Sequence, residues 1–201
     1  SAVEAYTLLG EVTGETKQCN KLSDYAQDAL DSITEIPEDE RVTVYYANGT
    51  DSLNTSARNT AASQLFDIIY AINVCEMASE SGDRLQVTNE HLLSWNPDFI
   101  FANGEPTENI SGRNAAESIL SNPNYANITA VINGNVISIP KAPFAWVDRP
   151  RSENRLIGIK WLGSIVYPDY YDFDEDDIKE FYSLFYHMDL TDEDVEDLLS
   201  Q

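Results

Sequence analysis

Between Val87 and Phe101 the spacing of apolar residues switches from helical to strand-like within a few positions. Leu92, Leu93 and Trp95 give the buried face of a helix that Thr88 caps, and Pro97 ends it by biasing Asn96 away from the α region. Phe99-Ile100-Phe101 then runs without polar alternation, the pattern of a strand covered on both faces in a parallel sheet. Such a strand delivers its following loop, here Asn103-Gly104-Glu105-Pro106, to the ligand-binding edge of an open α/β sheet.

The alternation extends in both directions. Cys19, Leu22, Ala26, Ala29, Leu30 and Ile33 recur at three- and four-residue steps, which predicts an amphipathic helix in need of a surface to pack on. Gly10 and Gly14 precede it as interruption or start signals. After the polar break Pro37-Glu38-Asp39-Glu40, residues 42–46 are β-branched and aromatic and read as the first strand. A helix is predicted over 57–72, carrying Leu65, Ile68, Ile69 and Ile72, and another over 113–121. A short segment at 125–130 leads through the Asn133-Gly134 turn into a strand at 136–139. Helices over 153–166, 176–187 and 192–199, the last capped by Thr191, complete the chain. Strands alternating with helices predict an α/β fold: a doubly wound, mainly parallel sheet flanked by helices.

Composition narrows the function classes. With 201 residues and 42% hydrophobic content the chain buries one substantial core, or one domain plus an appendage. The 35 acidic and 12 basic residues leave a formal charge of -23, a field that repels phosphate backbones and anionic lipid and so argues against nucleic-acid partners. Acid concentrated towards the C-terminal end reads as solvated surface. Cys19 in a polar helical stretch and Cys75 after an apolar run read as two free or buried thiols. No apolar run approaches the roughly 20 residues of a membrane span. The chain shows neither a secretory leader nor an initiating Met, and reads as an internal piece of a longer protein.

An ordered series of segments carries a family resemblance. It runs from Leu8-Leu9-Gly10-Glu11 and Thr13-Gly14 through Asn73-Val74 to Val87-Thr88 and Trp95-Asn96-Pro97-Asp98-Phe99-Ile100. It continues through residues 133–140, Phe144-Ala145-Trp146 with Arg149-Pro150, Trp161-Leu162, Tyr167-Pro168, residues 181–186 and Asp189-Leu190-Thr191. In this order they resemble the C-terminal lobe of periplasmic-type substrate-binding proteins serving ABC importers of iron-siderophores, haem and cobalamin. The resemblance implies two α/β lobes joined by a helix, with ligand clamped between them and handed to an ABC permease at the outer face of the cell membrane. Residues 1–36 then correspond to the connecting helix and 41–201 to the C-terminal lobe. An N-terminal lobe on the order of a hundred residues is expected beyond this chain. No resident cofactor is implied. The family commonly carries Gly-Gly just before its Asn-Val, whereas Tyr70-Ala71-Ile72 stands there here.

Three loop groups are expected at the cleft. Tyr45, Tyr46, Asn48 and Arg58 form the first, Asn103 to Glu105 the second, and residues 141–151 the third. In the third, Phe144, Trp146, Arg149 and Arg151 combine aromatic faces with guanidinium forks, which suits a flat or chelated ligand bearing carboxylate, catecholate or oxyanion groups. The alternative is that Trp146 packs on the lobe and Arg149 pairs with a carboxylate, and strand alternation points one of Tyr45 and Tyr46 into the core. By the resemblance, Glu105, Glu108 or Glu117 docks to the permease.

Other chemistry is absent from the pattern. Asp172, Asp174 and Asp176 do not open an EF-hand loop, because Asp177 and Ser183 stand where its Gly and Glu belong. His91 and His187 lack metal-ligand spacing. The sequons at Asn48, Asn54, Asn109 and Asn127 mark polar loops. No phosphate-binding glycine loop or nucleophile elbow is visible. A small α/β enzyme domain and an acidic interaction domain built on residues 181–199 are the competing readings.

Overall fold

A computed structural model describes residues 2–49, 51–77, 84–104, 111–148 and 152–200. Four parallel strands form its sheet: β1 (Thr43–Ala47), β3 (Ile72–Asn73), β5 (Phe99–Ala102) and β6 (Val136–Ser138), in the order β3-β1-β5-β6. A short antiparallel pair, β2 (Asn54–Thr55) with β4 (Leu85–Gln86), sits beside it. Neither β3 nor this pair is expected from the apolar pattern.

Helices cover both faces. On one lie α2 (Thr16–Asp31), α3 (Gln64–Ile68), α7 (Asn154–Val166), α8 (Glu175–Tyr186) and α9 (Asp192–Leu199), around Val44, Tyr46 and Phe101 of the sheet. On the other lie α4 (Asn89–Trp95), α5 (Gly112–Ser121) and α6 (Thr129–Ile132), around Tyr45, Ala47, Ile100 and Ala102. Alternate residues of β1 and β5 thus feed two cores, as the pleat requires. Ile100 and Phe101 are both fully buried, which bears out the doubly covered strand.

Helix α7 is apolar almost all round and is correspondingly sandwiched between the sheet and outer helices. A Cβ on Gly158 would lie 2.0 Å from the Trp146 carbonyl oxygen, so only glycine lets α7 come this close. The N-terminal helical stretch is two helices, α1 (Ala2–Thr13) and α2, broken at Gly14 (φ +79) and Glu15. The break falls at one of the two glycines read as interruption or start signals. Tyr25, Ala26 and Ala29 of α2 join the core beneath α7 and α8, which supplies the packing surface its apolar stripe needs.

The helix expected over 57–72 shrinks to α3, because Asn59 (φ 62) and Tyr70 (φ 63) leave the right-handed region and Ile72 enters β3. Helix α4 keeps its Thr88 cap, whose side chain accepts from the His91 backbone N–H at 3.3 Å, and ends with Asn96 in the left-handed conformation. Leu92 is buried, while Leu93, expected inside, is 41% exposed. Both cysteines are free and buried.

Candidate ligand site at the sheet edge

The strand order reverses between β1 and β5, the outward ends of which form the topological switch point where open α/β sheets bind ligands. There β1 leads into Asn48 and β5 into Asn103. The Asn103 backbone N–H donates to Ala47 O at 2.9 Å, which continues the ladder one step beyond the strands. Asn103 Nδ2 then donates to Tyr46 Oη and to Asn48 Oδ1, each at 2.8 Å. One amide therefore ties together the ends of both central strands.

All three groups are buried: Tyr46 and Asn48 almost wholly, Asn103 to 7% exposure. Among the described residues, Asn103 Oδ1 is nevertheless left without a hydrogen-bond partner. A buried amide oxygen in that state costs about 1–3 kcal/mol and calls for an explanation. Asn48 is held in turn by backbone hydrogen bonds to Asn54 in both directions, 2.7 and 3.1 Å, which close a tight loop. Tyr45, on the opposite sheet face, donates to Ser52 O at 2.9 Å beneath that loop, and burial pushes its phenol pKa far up. Helix α5 begins against the same edge, because Gly112 fits where a Cβ would stand 3.1 Å from Ala102 O and 3.2 Å from Ile139 O.

The expected site residues divide. Tyr46, Asn48 and Asn103 come together at the switch point. The Tyr46 ring itself lies in the core against Phe66 at 5.6 Å, leaving its hydroxyl as the polar handle. Arg58 is committed elsewhere: Nε and Nη2 donate to Asn73 O at 3.0 and 2.8 Å, and Nη1 pairs with Glu76 at 2.7 Å. It covers the open edge of β3. Trp146 corrects the expectation of a ligand-facing ring: it is fully buried, edge-on to Trp161 at 5.7 Å, with Nε1 donating to Tyr182 Oη. Phe144 is 45% exposed, and its carbonyl accepts from Asn154 Nδ2 at 3.0 Å. Glu117 is exposed on α5 and pairs with Arg113 at 3.0 Å. Glu105, Glu108, Arg149 and Arg151 lie outside the described residues.

In sequence, Asn103 is legible only as part of a loop. Its partnership with Asn48 has one local signal, an Asn directly after each of two apolar strands. Two surface concavities lie away from the switch point, one lined by Asn59, Gln64 and Asp67 and one by Arg58, Glu76 and Trp95. Neither includes the buried amides, so the switch-point site rests on topology and hydrogen bonding. Among the described residues no cluster of His, Cys, Asp and Glu has the arrangement of a metal site, and no helix is long and apolar enough to cross a membrane.

Comparison with known proteins gives the same direction. A sequence profile of the family described as periplasmic binding protein matches residues 2–143. Among solved structures, an ABC transporter solute-binding protein from Sulfurospirillum deleyianum is similar over 100% of this chain and 61% of its own, with 29% identity and a TM-score of 0.87. A periplasmic solute-binding protein from Veillonella parvula is similar over 98% of this chain and 59% of its own, at 23% identity and a TM-score of 0.73. The molybdate periplasmic binding protein MolA of Haemophilus influenzae, solved with molybdate bound, aligns over 94% of this chain and 56% of its own, at 24% identity and a TM-score of 0.67. The last two show the fold. No curated protein sequence matches. The chain thus spans about three fifths of these relatives' lengths. With the profile covering most of its length and a doubly wound lobe that carries polar groups at its switch point, the chain belongs to the periplasmic binding protein family.

Proposed function

We propose that this chain is the C-terminal lobe, with the connecting helical segment at residues 1–36, of the substrate-binding component of an ABC importer. Its task is to close on an iron chelate such as a siderophore or haem, or a related metal compound such as cobalamin, together with an N-terminal lobe, and to present it to a permease. The observation that carries the reading is the buried Asn103–Asn48–Tyr46 cluster at the switch point, with an amide oxygen that no described residue pairs. Family membership supports binding and delivery over catalysis. Around the cluster, Glu105, exposed Phe144, Arg149 and Arg151 are the proposed rim of the cleft, the arginines meeting anionic groups of the chelate. Arg58 and Trp146 are left out, because both are held within the lobe. Glu105, Glu108 and Glu117 are the proposed permease-facing carboxylates.

The test is a calorimetric titration of the full-length protein with ferric siderophores, haem, cobalamin and molybdate. One of the iron or corrin compounds is expected to bind, and Asn103→Ala to weaken it by about tenfold or more, the loss of a buried hydrogen bond. Wild-type affinity in a folded Asn103→Ala variant would move the site away from the switch point. Binding of molybdate alone would replace the ligand class.

A further inference from the structure

A second feature involves neither Asn48 nor Asn103. Between α9 and the segment after β6 lies an apolar groove of about 300 Å³. Ala142, Pro143, Tyr182, Met188, Leu190 and Leu198 line it, and Asp194 and Asp197 stand on its α9 side. Met188 is half exposed. Beside the groove the chain runs Asp189, Asp192, Glu193, Asp194, Glu196 and Asp197 with no Lys or Arg among them. Lys179 reaches Asp192 from α8, and Asp194 is turned back to accept from Thr191. Asp197 has no ion pair among the described residues.

We propose that this groove docks a cationic amphipathic helix of a partner protein, its apolar side chains seated on Met188, Leu190 and Leu198 and its Lys or Arg residues facing α9. Charge selects the occupant. A second copy of this chain brings another -23 and is repelled, and the same field turns away anionic lipid. A neutral apolar segment would cover the carboxylates at the groove margin without pairing them, which carries a desolvation penalty. A helix with apolar residues at i, i+3 and i+4 and basic flanks meets both demands, and fits a wall that is itself helical at Asp194, Asp197 and Leu198.

The experiment is an NMR titration of the whole chain with a leucine–lysine peptide whose leucines fall at helical spacing, beside a scrambled peptide of identical composition. Shifts are expected to concentrate on Met188, Leu190 and Leu198. The ordered peptide should bind about tenfold more tightly than the scrambled one, and Met188→Ser should remove most of that advantage. Asp197→Asn should flatten the dependence on salt. Equal binding of both peptides, shifts spread over the acidic surface, or an unaltered Met188→Ser variant would overturn the proposal. So would concentration-dependent dimerisation through these residues, or their engagement by phosphatidylglycerol vesicles in place of the peptide.

Discussion

Trp146 shows how burial decides the role of a single side chain. Its ring meets Trp161 at an interplanar angle of 85°, and its Nε1 donates to the Tyr182 hydroxyl, which itself donates to Ala142 O. Burial raises the Tyr182 phenol pKa, with the Trp146 hydrogen bond acting in the opposite sense. Trp146→Ala is therefore expected to destabilise the fold by about 3–5 kcal/mol, the cost of truncating a buried Trp, as read from the midpoint and slope of urea unfolding. A variant as stable as the wild type would show that the ring is not part of the core. Arg58 teaches the same lesson for charge, since its place in the first loop group puts it among the residues expected at the cleft. Its guanidinium instead caps the Asn73 carbonyl and answers Glu76. That use is invisible in sequence, because it depends on β3 being an edge strand.

At the scale of elements, local signals serve well where caps and periodicity agree. Thr88 and Thr191 cap α4 and α9 as their positions predict, and the strand after Pro97 is β5. They fail around α3, where Ile68, Ile69 and Ile72 mimic a helical stripe although Tyr70 takes a left-handed turn between them. That conformation costs a non-glycine residue on the order of 1 kcal/mol, and here hydrogen bonds from Tyr70 N to Asp67 O and from Ala71 N to Phe66 O hold it. Helix α9 has a defined pH response. Hydrogen bonding to Thr191 depresses the Asp194 pKa and hydrogen bonding to Lys179 that of Asp192, both below the ordinary 3.8. A carboxylate with a depressed folded pKa contributes stability that is complete above its unfolded value and disappears as pH falls through the folded one. Protection of α9 amides against hydrogen exchange is thus expected to hold down to about pH 4 and to fall below it. Loss of protection already near neutral pH would contradict this linkage.

For the whole molecule, charge sets the conditions under which the fold is most stable. At -23 the compact state repels itself, and ion pairs such as Lys160–Asp177 between α7 and α8 offset this in part. Salt shortens the Debye length from about 10 Å at 0.1 M to about 3 Å at 1 M. Raising salt over that range should stabilise the protein by on the order of 1 kcal/mol, or about 2–4 °C in Tm, and a falling Tm in differential scanning calorimetry would refute the repulsion argument. The alternation of strands and helices, the doubly covered β5 and the family are all legible in the residues alone, because periodicity, caps and turn residues act over a few neighbouring positions. Folding was needed to show that α2 packs under α7 and α8 and that Arg58 and Trp146 are held within the lobe. It also placed Asn48 and Asn103, 55 residues apart, on one hydrogen bond at the switch point. Strand order brings those ends together, and no local pattern encodes which strand lies beside which.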